Sequence, residues 1–545
     1  MPEPLPRAPC SLRCPAGIDA PRYVRLIAEG RFPEAAAVIR ECTPFALTLG
    51  YACSGPCECT CNRGGLDEPL AVRALKRFAC ERSPAANGSP PLRRPVTGKS
   101  VAVVGSGPGG LTAAWCLARR GHDVTVFEQM ALPGGMLRYG IPEFRLPRRV
   151  VEQEIREVER AGVRIRTRQA VRSREALFRA GFDAVLLAVG LPHAHVLDLP
   201  GLELRGVLSG LAFLQAVNED SPPRIGRNAI VVGGGNVAVD VARCALRFGA
   251  QVTLVCLEPA GAMPAFAQEV AESREEGLQI VSGWGPRAVL SRGGHVAGLE
   301  VARCATLHDD RGRFRPRLDD LMLARIPGDT LLLAVGQRAD GTLLRGLRRR
   351  ADGRAAVDTD TQRTSDPRVF ACGDVTPRSG SIIEAIAGAR RAAAAIDRRL
   401  GGSGDLDDVE RATAPDPAIA SSPSSPPFAA AGERPRLRIR CLPGAARIHG
   451  FRTVELGLTP EDARTEAARC LRCHRVLQLD AEECALCGKC EDRCAFDALA
   501  WRDGPGGVWS LTVRDDLCRR CGDCIEGCPA GALSWEGERW IAAAS

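Results

Sequence analysis

The chain has 545 residues, a hydrophobic fraction of 45%, a charged fraction of 25% and a formal net charge of +8. These are the proportions of a soluble globular protein of several domains. No apolar stretch reaches membrane-span length, the start is unlike a signal peptide, and the diffuse positive charge suits an acidic redox partner rather than nucleic acid.

The 24 cysteines would mean disulfides in a secreted protein; held by clusters they fit the cytoplasm, which is the location expected here. Residues 1–97 are Cys-rich and carry apolar positions at helical spacing (Val24, Ile27, Ala28, then Ala35, Val38, Ile39). Asn87 to Pro95 is a polar, Pro-rich break. From Ser100 to about Leu400, β-branched runs alternate with helical stretches, the pattern of a doubly wound α/β fold. Two Gly-rich loops stand in it. The strand Val101 to Val104 runs into Gly105, Gly107, Gly109 and Gly110 and then a helix. Gly105 permits the tight turn, Gly107 lets the backbone approach a pyrophosphate, and Gly110 lets helix and strand pack closely. A second strand ends at Glu128, placed for a ribose hydroxyl pair. The arrangement recurs at Ile230 to Ala238 with Gly233 and Gly235, Ala238 replacing the third glycine. A third strand runs through Val369 to Gly373 and Asp374, before a helix from Ser381 to Leu400.

Gly401 to Pro427 has the composition of a flexible linker, and Thr459 to Leu471 reads as a short helical return. Cys484, Cys487, Cys490 and Cys494 then follow C-x2-C-x2-C-x3-C spacing, which repeats at Cys518, Cys521, Cys524 and Cys528. Such triplets suit [4Fe–4S] cubes, whereas zinc ribbons use separated pairs. In two-cluster ferredoxins the last cysteine of each run crosses over. The expected sets are Cys484, Cys487, Cys490 with Cys528, and Cys518, Cys521, Cys524 with Cys494.

The order of the dinucleotide motifs resembles the flavoproteins in which an NAD(P) domain is inserted into a split FAD domain. Within them, Gly134 to Pro147 and Gly233 to Asp240 are similar to the glutamate synthase small subunit and to the N-terminal half of dihydropyrimidine dehydrogenase. The resemblance implies FAD at Gly105 to Gly110, Glu128, Gly135, Arg145 and Asp374. It implies NAD(P)H at Gly233, Gly235, Asn236 and Val237, with Ala334 to Gly336 alongside. It also implies a third cluster on Cys14, Cys53, Cys57 and Cys61, with Cys59 a bystander. A fourth would join Cys10 to Cys470 and Cys473 folding back from the C-terminal segment. The relatives' fourth ligand there is Gln or Glu, and Lys76 occupies that place. Charged lysine cannot ligate iron, so Cys80 or an external ligand would be needed.

The expected architecture is therefore an α/β doubly wound two-dinucleotide-binding-domain flavoprotein with an N-terminal α-helical iron–sulfur domain and a C-terminal α+β bacterial-ferredoxin-like domain. Its expected segments are residues 1–97 (iron–sulfur), 98–222 and 341–400 (FAD), 223–340 (NAD(P)), 401–480 (linker and return) and 481–545 (ferredoxin). The expected function is an NAD(P)H oxidoreductase exchanging electrons with a partner, such as a catalytic large subunit or ferredoxin, through three or four clusters. Flavin takes a hydride and releases single electrons. The alternative is a carrier or assembly subunit with vestigial nucleotide sites, against which the complete glycine loops argue. Cys42, Cys116, Cys244, Cys256, Cys304, Cys372 and Cys441 read as packing residues. The flavin region holds no C-x-x-C, which argues against a disulfide reductase. NADP-using relatives carry an Arg pair where this chain has Glu258. An acid there favours NADH, unless Arg243 or Arg274 serves a 2′-phosphate instead.

Overall fold

The run Ser100–Val104 forms the centre of a five-stranded parallel sheet, ordered Val369–Ala371, Ala184–Leu187, Ser100–Val104, Asp123–Phe127, Arg164–Arg166. Its central strands read as unbroken apolar runs because both faces are covered. The helices Pro108–Arg119 and Ile382–Arg399 pack together. Leu343, Leu344, Leu347 and Val375 join Ala102, Val104, Val185 and Leu187 in one core cluster. The computed structural model describes residues 8–83, 93–377, 379–406, 434–473, 477–503, 509–514, 517–518 and 522–535. Most of the expected linker, and Cys521, lie outside the described residues.

A second five-stranded parallel sheet is ordered Val207–Ser209, Thr330–Leu333, Asn228–Val232, Gln251–Cys256, Gln279–Ser282. The helix Asn236–Arg247 joins one core with Val231 and Leu254. Ile230, Val232 and Val255 instead meet Val289, Val296, Leu299 and Val301 of an antiparallel meander, Trp284–Arg292, His295–His308 and Phe314–Pro327. The chain passes between the two sheets at paired strands His193–Ala194 and Gln337–Arg338. This is the inserted-domain arrangement that the order of glycine loops suggested.

The chain divides into two units. The dinucleotide-binding unit takes in residues 93–406 and also 440–456, so the segment expected to be only linker and helical return is shared out. Phe451 packs on Phe144 at 6.1 Å between ring centroids, which gives that short stretch an apolar anchor in this unit.

The other unit contains residues 8–83, 434–439 and the described residues from 457 onward. Its first part is helical, with Ala20–Ala28, Phe32–Arg40, Ala46–Ala52 and Val72–Arg82 burying Tyr23, Ile27, Ile39, Leu75 and Phe78. The helix Pro460–Ala467 begins with a capping box between Thr459 and Asp462. Further on, two antiparallel pairs, Leu477–Leu479 with Leu533–Trp535 and Leu499–Asp503 with Trp509–Val513, accompany the short helices Lys489–Asp492 and Asp523–Glu526. Each helix starts at a glycine in the left-handed region, Gly488 (φ 72°) and Gly522 (φ 91°), so the doubled cysteine spacing is a doubled backbone motif.

Candidate functional site

The first glycine loop ends in a helix N-terminus at Gly107 with no side-chain cap, leaving its backbone N–H groups directed outward. A Cβ on Gly110 would collide with the Gly105 carbonyl oxygen, whereas one on Gly107 would meet no atom within 4 Å. Gly110 therefore serves packing, and Gly107 leaves room for a bulky anion at the dipole's positive end. Gly135 (φ 53°) backs the loop, its would-be Cβ 2.8 Å from Gly107 Cα. Glu128 is buried and accepts hydrogen bonds from Ser106 N (3.0 Å), Ser106 Oγ (2.5 Å) and Met130 N (2.8 Å). That fixes the carboxylate and leaves it acceptor capacity for ribose hydroxyls. Gly109 brings in the third segment, since its Cβ would lie 3.3 Å from Cys372 Sγ and 3.7 Å from Gly373 Cα. Asp374 Oδ1 accepts from Ser379 Oγ at 2.9 Å, and burial raises its carboxyl. These residues fit a flavin dinucleotide.

Arg145 is placed differently from what the resemblance implied. Its guanidinium is bound to Asp240 Oδ2 (2.6 Å) and Glu269 Oε1 (2.9 Å), carboxylates on the helices Asn236–Arg247 and Ala267–Glu275. It ties the chain after the flavin loop to the nucleotide domain.

The second loop repeats the logic. A Cβ on Gly233 would collide with the Ala334 carbonyl, while one on Gly235, the uncapped start of the helix, would meet nothing within 4 Å. Asn236 Oδ1 accepts from Phe266 N at 2.9 Å, Val237 follows on the same first turn, and Gly336 (φ 107°) accepts from His195 N. The Glu258 carboxylate sits against Gly234, beside the loop. Arg243 is unavailable to a 2′-phosphate. It is fully buried and paired with Glu269, Glu272 and Glu276. Arg274 is exposed. A cation that sequence spacing did not disclose is Arg303, which reaches from the meander to 3.3 Å from the Cβ position of Gly283, next to the strand that follows Glu258. Its only sequence signal was its place in a long strand.

The N-terminal cysteines are regrouped. Cys10, Cys61, Cys470 and Cys473 line one cavity, together with Val24 and Leu471. Burial, then the thiols of Cys470, Cys473 and Cys61, drives the Cys10 thiol upward. Cys61 thus stands with the composite set and not, as expected, with Cys14, Cys53 and Cys57, because it closes the turn Glu58–Thr60 and faces the returning segment. Cys57 is pushed up to about 12 by burial, against the charge of Lys76, with Cys53 and Cys14 adding to the rise. Lys76 is 4% exposed and, among the described residues, pairs with no carboxylate. Burial opposes its charge, but the thiols of Cys53, Cys57 and Cys14 raise its pKa. Cys80 lies one turn further along the same helix, and Cys59 is exposed.

What holds the returning segment is a buried ion network. Arg469 donates to Asp67 Oδ1 (2.9 Å), Glu466 Oε1 (2.8 Å), Glu68 O (2.7 Å) and Arg434 O (2.9 Å). Glu466 in turn accepts from Ala71 N (2.8 Å) and Leu437 N (2.9 Å).

Farther along, Cys484, Cys487, Cys490 and Cys528 line a second cavity with Leu479 and Trp501, which brings the last cysteine of the second run beside three of the first. Burial opposes the Cys528 thiolate, but the backbone amides of Ala532, Ala530, Leu533 and Gly531 outweigh it and lower its pKa. Cys484 Sγ accepts from Leu486 N at 3.4 Å and Cys494 Sγ from Ala498 N at 3.3 Å. Donors to sulfur and apolar walls are what thiolate-bound clusters require. Of the second set, Cys494 and Cys524 border the same core. Among the described residues no group of three or more His, Cys, Asp or Glu is placed to hold a single metal ion.

Residues 99–393, more than half of the chain, match the pyridine nucleotide-disulphide oxidoreductase family. The chain belongs to that family. Residues 6–87 match the family of dihydropyrimidine dehydrogenase domain II, 4Fe-4S cluster. The NADP(+)-dependent formate dehydrogenase subunit beta of Moorella thermoacetica is 37% identical over 512 residues, 87% of this chain and 71% of that one. The NADPH-Fe(3+) oxidoreductase subunit beta of Geobacter sulfurreducens is 32% identical, covering 86% of this chain and 75% of that one. The NAD-dependent dihydropyrimidine dehydrogenase subunit PreT of Escherichia coli K12 is 34% identical over 73% of this chain and 92% of its own. This family member is an NAD(P)H-dependent oxidoreductase with flavin and iron–sulfur sites. Among the described residues no helix is long and apolar enough to cross a membrane.

Proposed function

We propose that this chain is the electron-input subunit of a larger enzyme, taking hydride from NADH and delivering single electrons to a catalytic partner subunit or a ferredoxin. The supporting observation is that one chain carries two uncapped dinucleotide loops and two cavities each lined by four thiols. Relatives named as subunits of formate dehydrogenase, Fe(3+) oxidoreductase and dihydropyrimidine dehydrogenase support a partner subunit. Four clusters are assigned: Cys10, Cys61, Cys470 and Cys473; Cys14, Cys53 and Cys57 with Lys76 beside them; Cys484, Cys487, Cys490 and Cys528; and Cys518, Cys521, Cys524 and Cys494. Thiols kept for clusters suit the reducing cytoplasm.

The residues do the positioning. Gly107 and Gly235 with their helix N-termini receive the two pyrophosphates, and Glu128 receives the flavin ribose. Bound flavin supplies the conversion between a hydride and the single electrons that clusters exchange. Glu258 favours NADH, because a carboxylate accepts from a ribose 2′-hydroxyl and repels a 2′-phosphate. Arg303 supports the opposite reading. Anaerobic reduction of the flavin with each nucleotide decides between them. NADH should act at least about tenfold faster, and Glu258→Arg should reverse the order. A preference for NADPH that Arg303→Ala abolishes would replace the first reading with the second.

A further inference from the structure

The indole nitrogen of Trp501 is buried and, among the described residues, has no regular hydrogen-bond acceptor. Buried indole N–H groups are almost always paired, so an orphan asks what normally accepts from it. The strand Leu499–Asp503 alternates, placing Leu499 and Trp501 on one face, and that face packs with Cys490, Cys494 and Cys528. Trp501 also lines the cavity shared by Cys484, Cys487, Cys490 and Cys528. The indole therefore stands among cysteine sulfurs with its N–H unmatched by any described acceptor. We propose that the Trp501 N–H donates a hydrogen bond to a sulfur of the cluster in this cavity and raises that cluster's reduction potential. A donor to sulfur stabilises the added negative charge of the reduced state more than the oxidised one. No bond is made or broken; the one electron arrives by the established NAD(P)H chemistry. The inference rests on the iron–sulfur reading of the cavity.

Trp535 provides the internal control, since each tryptophan stands seven residues beyond the last cysteine of its run. The anaerobic full-length protein, its tryptophans labelled with indole 15N, is titrated by EPR as wild type, Trp501→Phe and Trp535→Phe. The relevant signal is the one lost in Cys528→Ser. Trp501→Phe should keep its iron, lower that midpoint enough to change the one-electron equilibrium about tenfold, ~59 mV, and lose a 15N coupling to the reduced cluster. Trp535→Phe should leave that coupling in place. An unmoved midpoint with full iron overturns the inference. Should Trp501→Phe fail to assemble, the wild type still decides, because absence of 15N coupling there also overturns it. Absence of any cluster signal that depends on Cys528 would instead sink the iron–sulfur reading of the cavity.

Discussion

Replacing Arg469 by alanine tests whether the buried network carries Cys470 and Cys473 to the N-terminal helices. Its side chain is 2% exposed, and its partners Glu466 and Asp67 are 1% and 9% exposed. Truncation removes four donated hydrogen bonds and leaves the buried Glu466 carboxylate without its cation, while Asp67 keeps Arg63. Breaking a buried pair by deleting one partner costs about 3–5 kcal/mol, because the remaining charge stays desolvated. At 1.4 kcal/mol per decade, detachment of the returning segment becomes about 10²- to 10⁴-fold more populated. Arg469→Lys should recover only part of this, since an ammonium cannot present the guanidinium fork to two carboxylates. The assay is anaerobic chemical unfolding of the holo-protein together with its iron content. Both variants should lose about four iron atoms, from the Cys10 site, before the Cys484 site is affected. A cost below about 1 kcal/mol for the alanine variant, the value of an exposed pair, would refute the clamp.

Acid should open the same region. Against burial, the hydrogen bond from Arg63, the amides of Arg434 and Glu68 and the charge of Arg469 hold the Asp67 carboxyl well below its ordinary 3.8. A depressed carboxyl contributes stability that is complete above the unfolded value and declines as pH falls below 3.8. Asp67→Asn should therefore lower the unfolding midpoint at neutral pH and flatten its dependence in that acid range; an unchanged acid limb would contradict the assignment. Gly110→Ala should lower both thermal midpoint and flavin content, whereas Gly107→Ala should keep the apo-protein midpoint and weaken FAD binding about tenfold or more, measured by flavin titration. Equal losses of midpoint would show that Gly107 serves packing too. Cys61→Ser should remove the EPR signal that Cys470→Ser removes; loss of the one that Cys14→Ser removes would reverse the regrouping.

Local chemistry was legible from residue order. A glycine loop needs only its neighbours in sequence to set a turn, admit a phosphate and start a helix, so Gly105, Gly107, Gly110, Gly233 and Gly235 declare themselves. The cysteine triplets do likewise, because C-x2-C-x2-C spacing fixes three ligand directions within one short loop. The doubled run also implied its crossover, since the motif folds upon itself as a repeat.

The partner of a residue distant in sequence was not legible in that way. Glu258 read as a nucleotide selector from its strand end, but that Arg243 is withdrawn from competition depends on Glu269 and Glu272 of another helix and Glu276 at its end surrounding it. Arg145 lies in a stretch that resembles a flavin contact, yet its charge is satisfied by Asp240, 95 residues away. Cys61 could have joined either set of thiols, since it follows Cys57 by one helical turn in sequence. Arg469 bonded to Asp67, 402 residues apart, brings the returning segment to its side of the loop. The sequence determined which groups can bind phosphate or iron, because those capacities are set by backbone freedom and ligand type over a few residues. Which of them meet was decided only by the tertiary structure, because burial obliges each charge and each thiol to find its partner wherever the fold brings one.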